Sequence, residues 1–228
     1  MLNLENIIIS VLYLLFSFIL TIIIFKRFGK YGLYIWMSVL VIICNIQTIK
    51  MSEIFGFTIS LGNISYGAIF LTTDILSEKY GKDSTNNAIK LSFIFMIVFA
   101  ILMYTFLHYK PSQSDFSQDA LMTIFNYIPR ITFGSLLAYY FSQNIDALLY
   151  SKLKHKYNKV WISNNVSTFI SQAIDTLIFV SISFFGVLSF KEIIDLMITM
   201  LILKWIIAIL DTPFMIIVSK INNNKELE

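Results

Sequence analysis

The sequence predicts an all-α polytopic membrane protein with about seven transmembrane helices, and three observations predict it. Of its 228 residues, 57% are apolar and only 14% are charged. A soluble domain is roughly 45–50% apolar and about 25% charged, so both fractions depart in the same direction. Mean hydropathy is +0.75. The apolar residues also gather into stretches of about 20, the length that crosses a bilayer as a helix. This balance excludes a soluble enzyme, a disordered chain and a nucleic-acid binder whose basic surface faces water. One Cys excludes an internal disulfide framework and a cysteine-based metal cluster.

Seven stretches qualify, at residues 6–25, 33–50, 58–77, 88–109, 120–146, 162–188 and 193–219. The first lacks a basic leader and a small-residue cleavage site, so it reads as a retained helix. The loops are short, without repeats or Gly/Ser linkers, which makes residues 1–228 a single transmembrane domain. A polar tail, 220–228, frays from its end.

Orientation follows from where Lys and Arg lie. With the amino terminus outside, the inner segments hold Lys26, Arg27, Lys30, Lys79, Lys82, Lys90, Lys152, Lys154, Lys156, Lys159, Lys220 and Lys225, twelve in all. The outer segments hold Lys50, Lys110 and Lys191, which is three. Twelve against three places the carboxyl terminus in the cytoplasm and the protein in the cytoplasmic membrane. Six spans would instead put the two basic clusters Lys26–Lys30 and Lys152–Lys159 on opposite sides.

An ionisable side chain at the bilayer centre costs on the order of 2.5–3.5 kcal/mol by insertion scales, so each one needs a reason. The spans hold Asp74, Arg130, Asp175, Lys204 and Asp211, with Glu78 and Asp146 near their cytoplasmic ends. Three- and four-residue steps align Asn63, Gly67, Phe70, Asp74 and Glu78 on one face of the third span. The same steps align Asn164, Thr168, Ser171 and Asp175 in the sixth, with Gln172 beside them, and Lys204, Ala208 and Asp211 in the seventh. The second span carries Ser38, Asn45, Thr48 and Ser52 along one line. The first and fourth have no ionisable group in their middles and read as peripheral. The predicted interior is therefore polar and built by spans two, three, five, six and seven.

Any one of these residues is as readily polar glue between helices as a ligand contact. Glu78 and Asp146, close to basic loops, read as interfacial ion pairs. As a set, three acids and two bases exceed what packing needs, and they point to a pathway for a polar substrate. No His pair has metal-ligand spacing, so no metal or cofactor is expected. An intramembrane aspartyl protease needs Tyr-Asp and Gly-x-Gly-Asp contexts. Thr-Thr, Ala-Ile and Ile-Leu precede the three aspartates instead, so the chain does not read as an enzyme.

Four segments in order carry a resemblance. They are Phe55-Gly56-Phe57 through Thr73-Asp74-Ile75-Leu76-Ser77-Glu78-Lys79-Tyr80-Gly81-Lys82; Pro129-Arg130 through Asp146; Trp161-Ile162-Ser163-Asn164-Asn165 through Gln172 and Asp175-Thr176; and Lys204 through Asp211-Thr212-Pro213-Phe214. Over about residues 33–215 the chain resembles the queuosine precursor transporter family, once called vitamin uptake transporters. The resemblance implies import of a 7-deazaguanine (queuine, preQ1 or preQ0) for salvage into tRNA queuosine. It also implies a six-helix core at 32–219, with 1–31 as an added amino-terminal helix.

The residues suit such a ligand. A carboxylate can accept both donors at the N1 and 2-amino edge of a guanine, and a second can balance a cationic amine. Carried over from the family, Asp175, Gln172 and Asn165 form the recognition face, Asp74 is the second acid, and Asn45 lines the pocket. Arg130 and Lys204 neutralise the acids or hold helices in register, and Asp211 partners Lys204. Transport is proton-coupled or uniport. The alternative is the substrate-binding subunit of an energy-coupling-factor transporter. That reading wants an Ala-x-x-x-Ala pattern in the first helix, which 6–25 lacks. Expected partners are the deazapurine, the bilayer, and a second copy or a coupling subunit, with no nucleic acid.

Overall fold

The structure, a computed structural model, describes residues 4–54, 56–157 and 160–221; the side chains of some helical positions, 161–165 among them, lie outside the description. The described residues form six helices and one small hairpin: α1 (Leu4–Gln47), β1 (Met51–Ile54), β2 (Phe57–Ser60), α2 (Gly62–Phe106), α3 (Gln118–Phe125), α4 (Ile128–Tyr157), α5 (Val160–Phe184) and α6 (Phe190–Ser219). Helices Leu4–Thr48, Gly62–Phe106, Val166–Phe184 and Phe190–Ser219 are long and apolar enough to cross a membrane. The chain is a polytopic helical membrane protein.

Helix α1 has 44 residues, which would reach roughly 66 Å if straight, about twice the ~30 Å hydrocarbon core. It is not straight. Gly29 takes φ 58° and ψ −141°, outside the helical region and easy only for glycine, and the chain folds back there. The side chains record the reversal. Trp36 Nε1–H donates to Thr21 Oγ1 (2.9 Å), and Gln47 Nε2 donates to the Tyr13 hydroxyl (3.1 Å). Residues 13 and 47 of a straight helix would stand about 51 Å apart. Gly81 (φ 80°, ψ 170°) does the same for α2. Phe70 and Phe93, on either side of it, face one cavity.

The folded-back α1 and α2 share the main apolar core, with Phe18, Phe25, Leu40, Leu71, Ile75 and Met96 all fully buried. Phe18 sets its ring against Phe214 of α6, centroids 4.9 Å apart. A second cluster joins α5 to α6 through Val180, Phe184, Leu196 and Met200. On the far face of α1, Ile8, Leu12, Phe16, Ile19 and Ile23 are exposed, an apolar surface that lipid would cover. Hydroxyl groups within the helices have no water to bond to, and many donate to the carbonyl one turn back. Ser17 bonds to Tyr13, Thr21 to Ser17, Ser38 to Tyr34 and Thr72 to Ala68.

Several expected boundaries move. The stretch 58–77 does not begin as helix, because Thr58–Ser60 pair with Met51–Glu53 in an antiparallel hairpin. The stretch 120–146 is two helices: α3, then a break, then α4 from Ile128 with Pro129 in its first turn. Pro has no N–H, and helix starts tolerate it for that reason. Helix α4 runs on to Tyr157, through most of the expected basic loop, and α5 stops at Phe184 instead of 188. In the connection between α2 and α3, Asp115 accepts the N–H and hydroxyl of Ser117 (both 2.8 Å), bonds that hold its carboxyl below the ordinary range.

The hairpin sits across one end of the helices. Ser60 donates to the Thr48 carbonyl (2.9 Å), Asn6 donates to Ser52 (2.9 Å), and Thr199 of α6 donates to the Thr58 carbonyl (3.2 Å). Just below it α1 and α2 touch closely at Gly62. A Cβ there would strike Thr48 Oγ1 and the Cys44 carbonyl, which is backbone. At Gly67 the added atom would meet only the ends of Leu14 and Ile207 side chains. Gly62→Ala is therefore expected to destabilise by about 1–3 kcal/mol, and Gly67→Ala by less. Thermal unfolding of the two purified variants in one detergent measures the difference.

Candidate functional site

A cavity of about 470 Å³ lies among the helices. It is within the range of small-molecule sites, roughly 300–1,000 Å³. Met37, Cys44, Asn45 and Thr48 wall it from α1, and Asn63, Tyr66, Phe70 and Asp74 from the first half of α2. Helix α4 gives Tyr139, Ser142, Gln143 and Asp146; α5 gives Thr168, Ser171, Gln172 and Asp175; α6 gives Met200 and Lys204. At the hairpin end Met37, Cys44, Asn45 and Thr48 are buried. At the Gly81 end Ser77, Lys82 and Gln143 are exposed, so the cavity opens there and is closed under the hairpin.

One ion pair anchors the wall. Lys204 Nζ donates to Asp175 Oδ2 at 2.9 Å, with the lysine side chain 8% and the aspartate 20% exposed. The ammonium also donates to Thr176 Oγ1 (3.2 Å) and lies 5.6 Å from the centre of the Tyr66 ring. Such a ring face attracts a desolvated cation. The Ser142 hydroxyl donates to Asp175 Oδ1 (3.3 Å), which joins α4 to the same group. One step along, Ser171 donates to Asp146 Oδ1 (3.1 Å). Helices α2, α4, α5 and α6 thus meet through Tyr66, Ser142, Asp175 and Thr176 around the buried Lys204 ammonium.

The expected site residues fall into three groups. Asn45, Asp74, Gln172, Asp175 and Lys204 line the cavity together. Asp74 is exposed into it, and among the described residues it makes no hydrogen bond. Asn165 is on α5, and its side chain lies outside the described residues. The rest take other positions. Glu78 is exposed and not in the lining. Asp211 is buried on α6 away from the lining, within electrostatic reach of Asp74.

Two expected pairings are corrected. Lys204 pairs with Asp175 and not with Asp211, because seven residues along one helix separate the latter two by about 10 Å of rise. Arg130 meets neither acid. Its guanidinium donates to the Ile182 and Phe185 carbonyls, where α5 runs out of helical partners. Among the described residues Asp146, expected in an interfacial ion pair, accepts the Ser171 hydroxyl. The fourth stretch, 88–109, is not merely peripheral, since Ile89, Ser92 and Phe93 line the cavity.

Sequence reasoning passed over Tyr66, Ser142 and Thr176 as partners of the charges. The signal for Ser142 was available, since Ser135, Tyr139, Ser142 and Asp146 recur at three- and four-residue steps.

The sequence pattern of the family described as putative vitamin uptake transporter matches residues 60–218, which takes in the cavity lining from Asn63 to Lys204. The chain belongs to this family. A Bacillus subtilis (strain 168) protein named probable queuosine precursor transporter is 35% identical over 95% of this chain and 96% of its own length. The queuosine precursor transporter of Escherichia coli (strain K12) is 28% identical over 71% of this chain and 73% of its own. A Haemophilus influenzae relative with the same probable assignment is 27% identical over 58% and 54%. No solved structure matches. A transporter family leaves no place for the enzyme reading, and the energy-coupling-factor alternative draws no support from these relatives.

Removing one partner of a buried ion pair strands the other, at a cost of about 3–5 kcal/mol. Lys204→Met is therefore expected to lower the unfolding temperature sharply, and adding Asp175→Asn to recover most of the loss. Thermal unfolding of the two single variants and the double variant tests this. Equal losses in the single and the double variant would mean that the pair is not the unit.

Proposed function

We propose that this protein imports a queuosine precursor, a 7-deazaguanine base, across the cytoplasmic membrane for salvage into tRNA. The observation that carries the reading is the likeness to a named queuosine precursor transporter along nearly the whole chain. The cavity supports it. Its volume suits one small heterocycle, and its lining joins aromatic rings to carboxylates and amides in the proportion a polar aromatic base needs.

Seven crossings, with the amino terminus outside and the carboxyl terminus inside, agree with the fold-backs at Gly29 and Gly81. In this arrangement the hairpin faces outward and the basic clusters face inward. The cavity then opens to the cytoplasm and stands ready to release its load. Asp175, held by Lys204 and Ser142, presents a fixed acceptor to the donor edge of the base. Asp74 is the unpaired carboxylate that would balance a cationic aminomethyl group. Gln172 and Asn165 extend the recognition face. Arg130 and Glu78 stand outside it, Arg130 as a cap on α5. If transport is coupled to protons, Asp74 and the buried Asp211 are the groups to carry them. A uniporter would need neither to change charge.

The test is tRNA queuosine content in a host lacking both precursor synthesis and its own importer. Fed preQ1, preQ0 or queuine at nanomolar concentration, that host should regain queuosine when it makes this chain alone. No gain with the protein present in the membrane would refute the reading. Orientation is tested separately by adding Asn86→Cys to Cys44→Ser protein. An impermeant maleimide should label it in inside-out vesicles and not in intact cells.

A further inference from the structure

Two amides stand at the closed end of the cavity, and they differ in what they have left to offer. Asn45 is partly engaged. Its Nδ2 donates to the Val41 carbonyl (2.7 Å), and its Oδ1 accepts the Ser135 hydroxyl (3.4 Å). Among the described residues Asn63 has no hydrogen-bond partner, and its Nδ2 is buried. A buried amide left unbonded is costly, and native structures rarely keep one without a purpose. Its backbone is held hard in place, because the adjoining Gly62 packs against Thr48 and the Cys44 carbonyl. Its side chain is packed but held by no hydrogen bond among the described residues.

Rotation about the terminal torsion of an Asn exchanges oxygen and nitrogen in nearly the same space. With no bond to fix it, the Asn63 carboxamide can turn either its N–H or its C=O toward an arriving group. Turned N–H outward, its complement is the carbonyl oxygen of a lactam. Tyr66 and the Lys204–Asp175 pair line the same cavity. Asp175 accepts only, so it is left to the N1–H and 2-amino donors, and two of the three Lys204 N–H groups already go to Asp175 and Thr176. Asn63 supplies a donor for a carbonyl oxygen at this end.

We infer that Asn63 is a specificity-determining residue that reads the lactam carbonyl of the transported base. This rests on the 7-deazaguanine reading above. Purified protein would be titrated calorimetrically with preQ1 and with its analogue lacking the C6 oxygen. Wild type should bind preQ1 about tenfold or more tighter than the analogue, the scale of one or two neutral hydrogen bonds. Asn63→Leu should weaken preQ1 about tenfold while leaving the analogue unchanged. Its unfolding temperature without ligand should stay the same or rise, since an unbonded polar group has been removed. Wild type that binds both ligands equally overturns the inference without relying on any variant, and so does an Asn63→Leu protein that binds preQ1 as tightly as wild type does. Wild type that binds no preQ1 overturns the substrate reading itself, and this inference with it.

Discussion

A lysine ammonium in the middle of a membrane protein has to be held by its neighbours, and the arrangement of this molecule follows from how Lys204 is held. Its partners come from three directions: Asp175 and Thr176 on α5, the Tyr66 ring on α2, and Ser142 of α4 through Asp175. Desolvation of two charges is offset only when their remaining donors and acceptors are also satisfied. Here nearly every one is. The four helices that contribute are the four that wall the cavity with α1, so the contacts that stabilise the charge also shape the binding space.

Two further cations are used differently. Arg130 donates to the last carbonyls of α5, and Lys79 donates to the carbonyls of Ser219 (3.2 Å) and Ile221 (3.0 Å) at the end of α6. A helix terminus carries unbonded carbonyls and a partial negative charge, both of which a cation satisfies. In a bilayer, where water is scarce, that is a structural requirement. These two side chains fasten helix ends at opposite faces of the molecule and leave the cavity acids to other partners.

The fold class, the polar faces and the grouping of Asp74, Gln172, Asp175 and Lys204 could be read from apolar run length and helical spacing. What could not be read is instructive. Arg130 looked like a partner for an acid because its true partners are main-chain carbonyls, which no side-chain pattern reveals. The break before Ile128 and the hairpin at Met51–Ser60 did leave signals, in Pro129 and in the short β-forming runs around Gly56. Apolar run length overrode them, since it does not distinguish a strand or a short surface helix from the start of a span. Asn45 and Asn63 are alike in sequence. Only the hydrogen bonds of the folded chain show that Asn45 is engaged while Asn63, among the described residues, is not.

The turns at Gly29 and Gly81 are nearly loopless, and that limits how the molecule can move. A pair of helices joined by a single residue has no slack, and residues on both sides of Gly29 are cross-bonded along their length. Such a pair translates and tilts as one body. Slack is left in the connections that do contain loops, among them residues 48–61, residues 107–117, the break at 126–127, and the Phe185–Ser189 turn. The last three flank α3, α4 and α5. They leave α4 and α5 freer to shift than the paired halves of α1 and α2. Lys204 and Asp175 join α5 to α6 beside it.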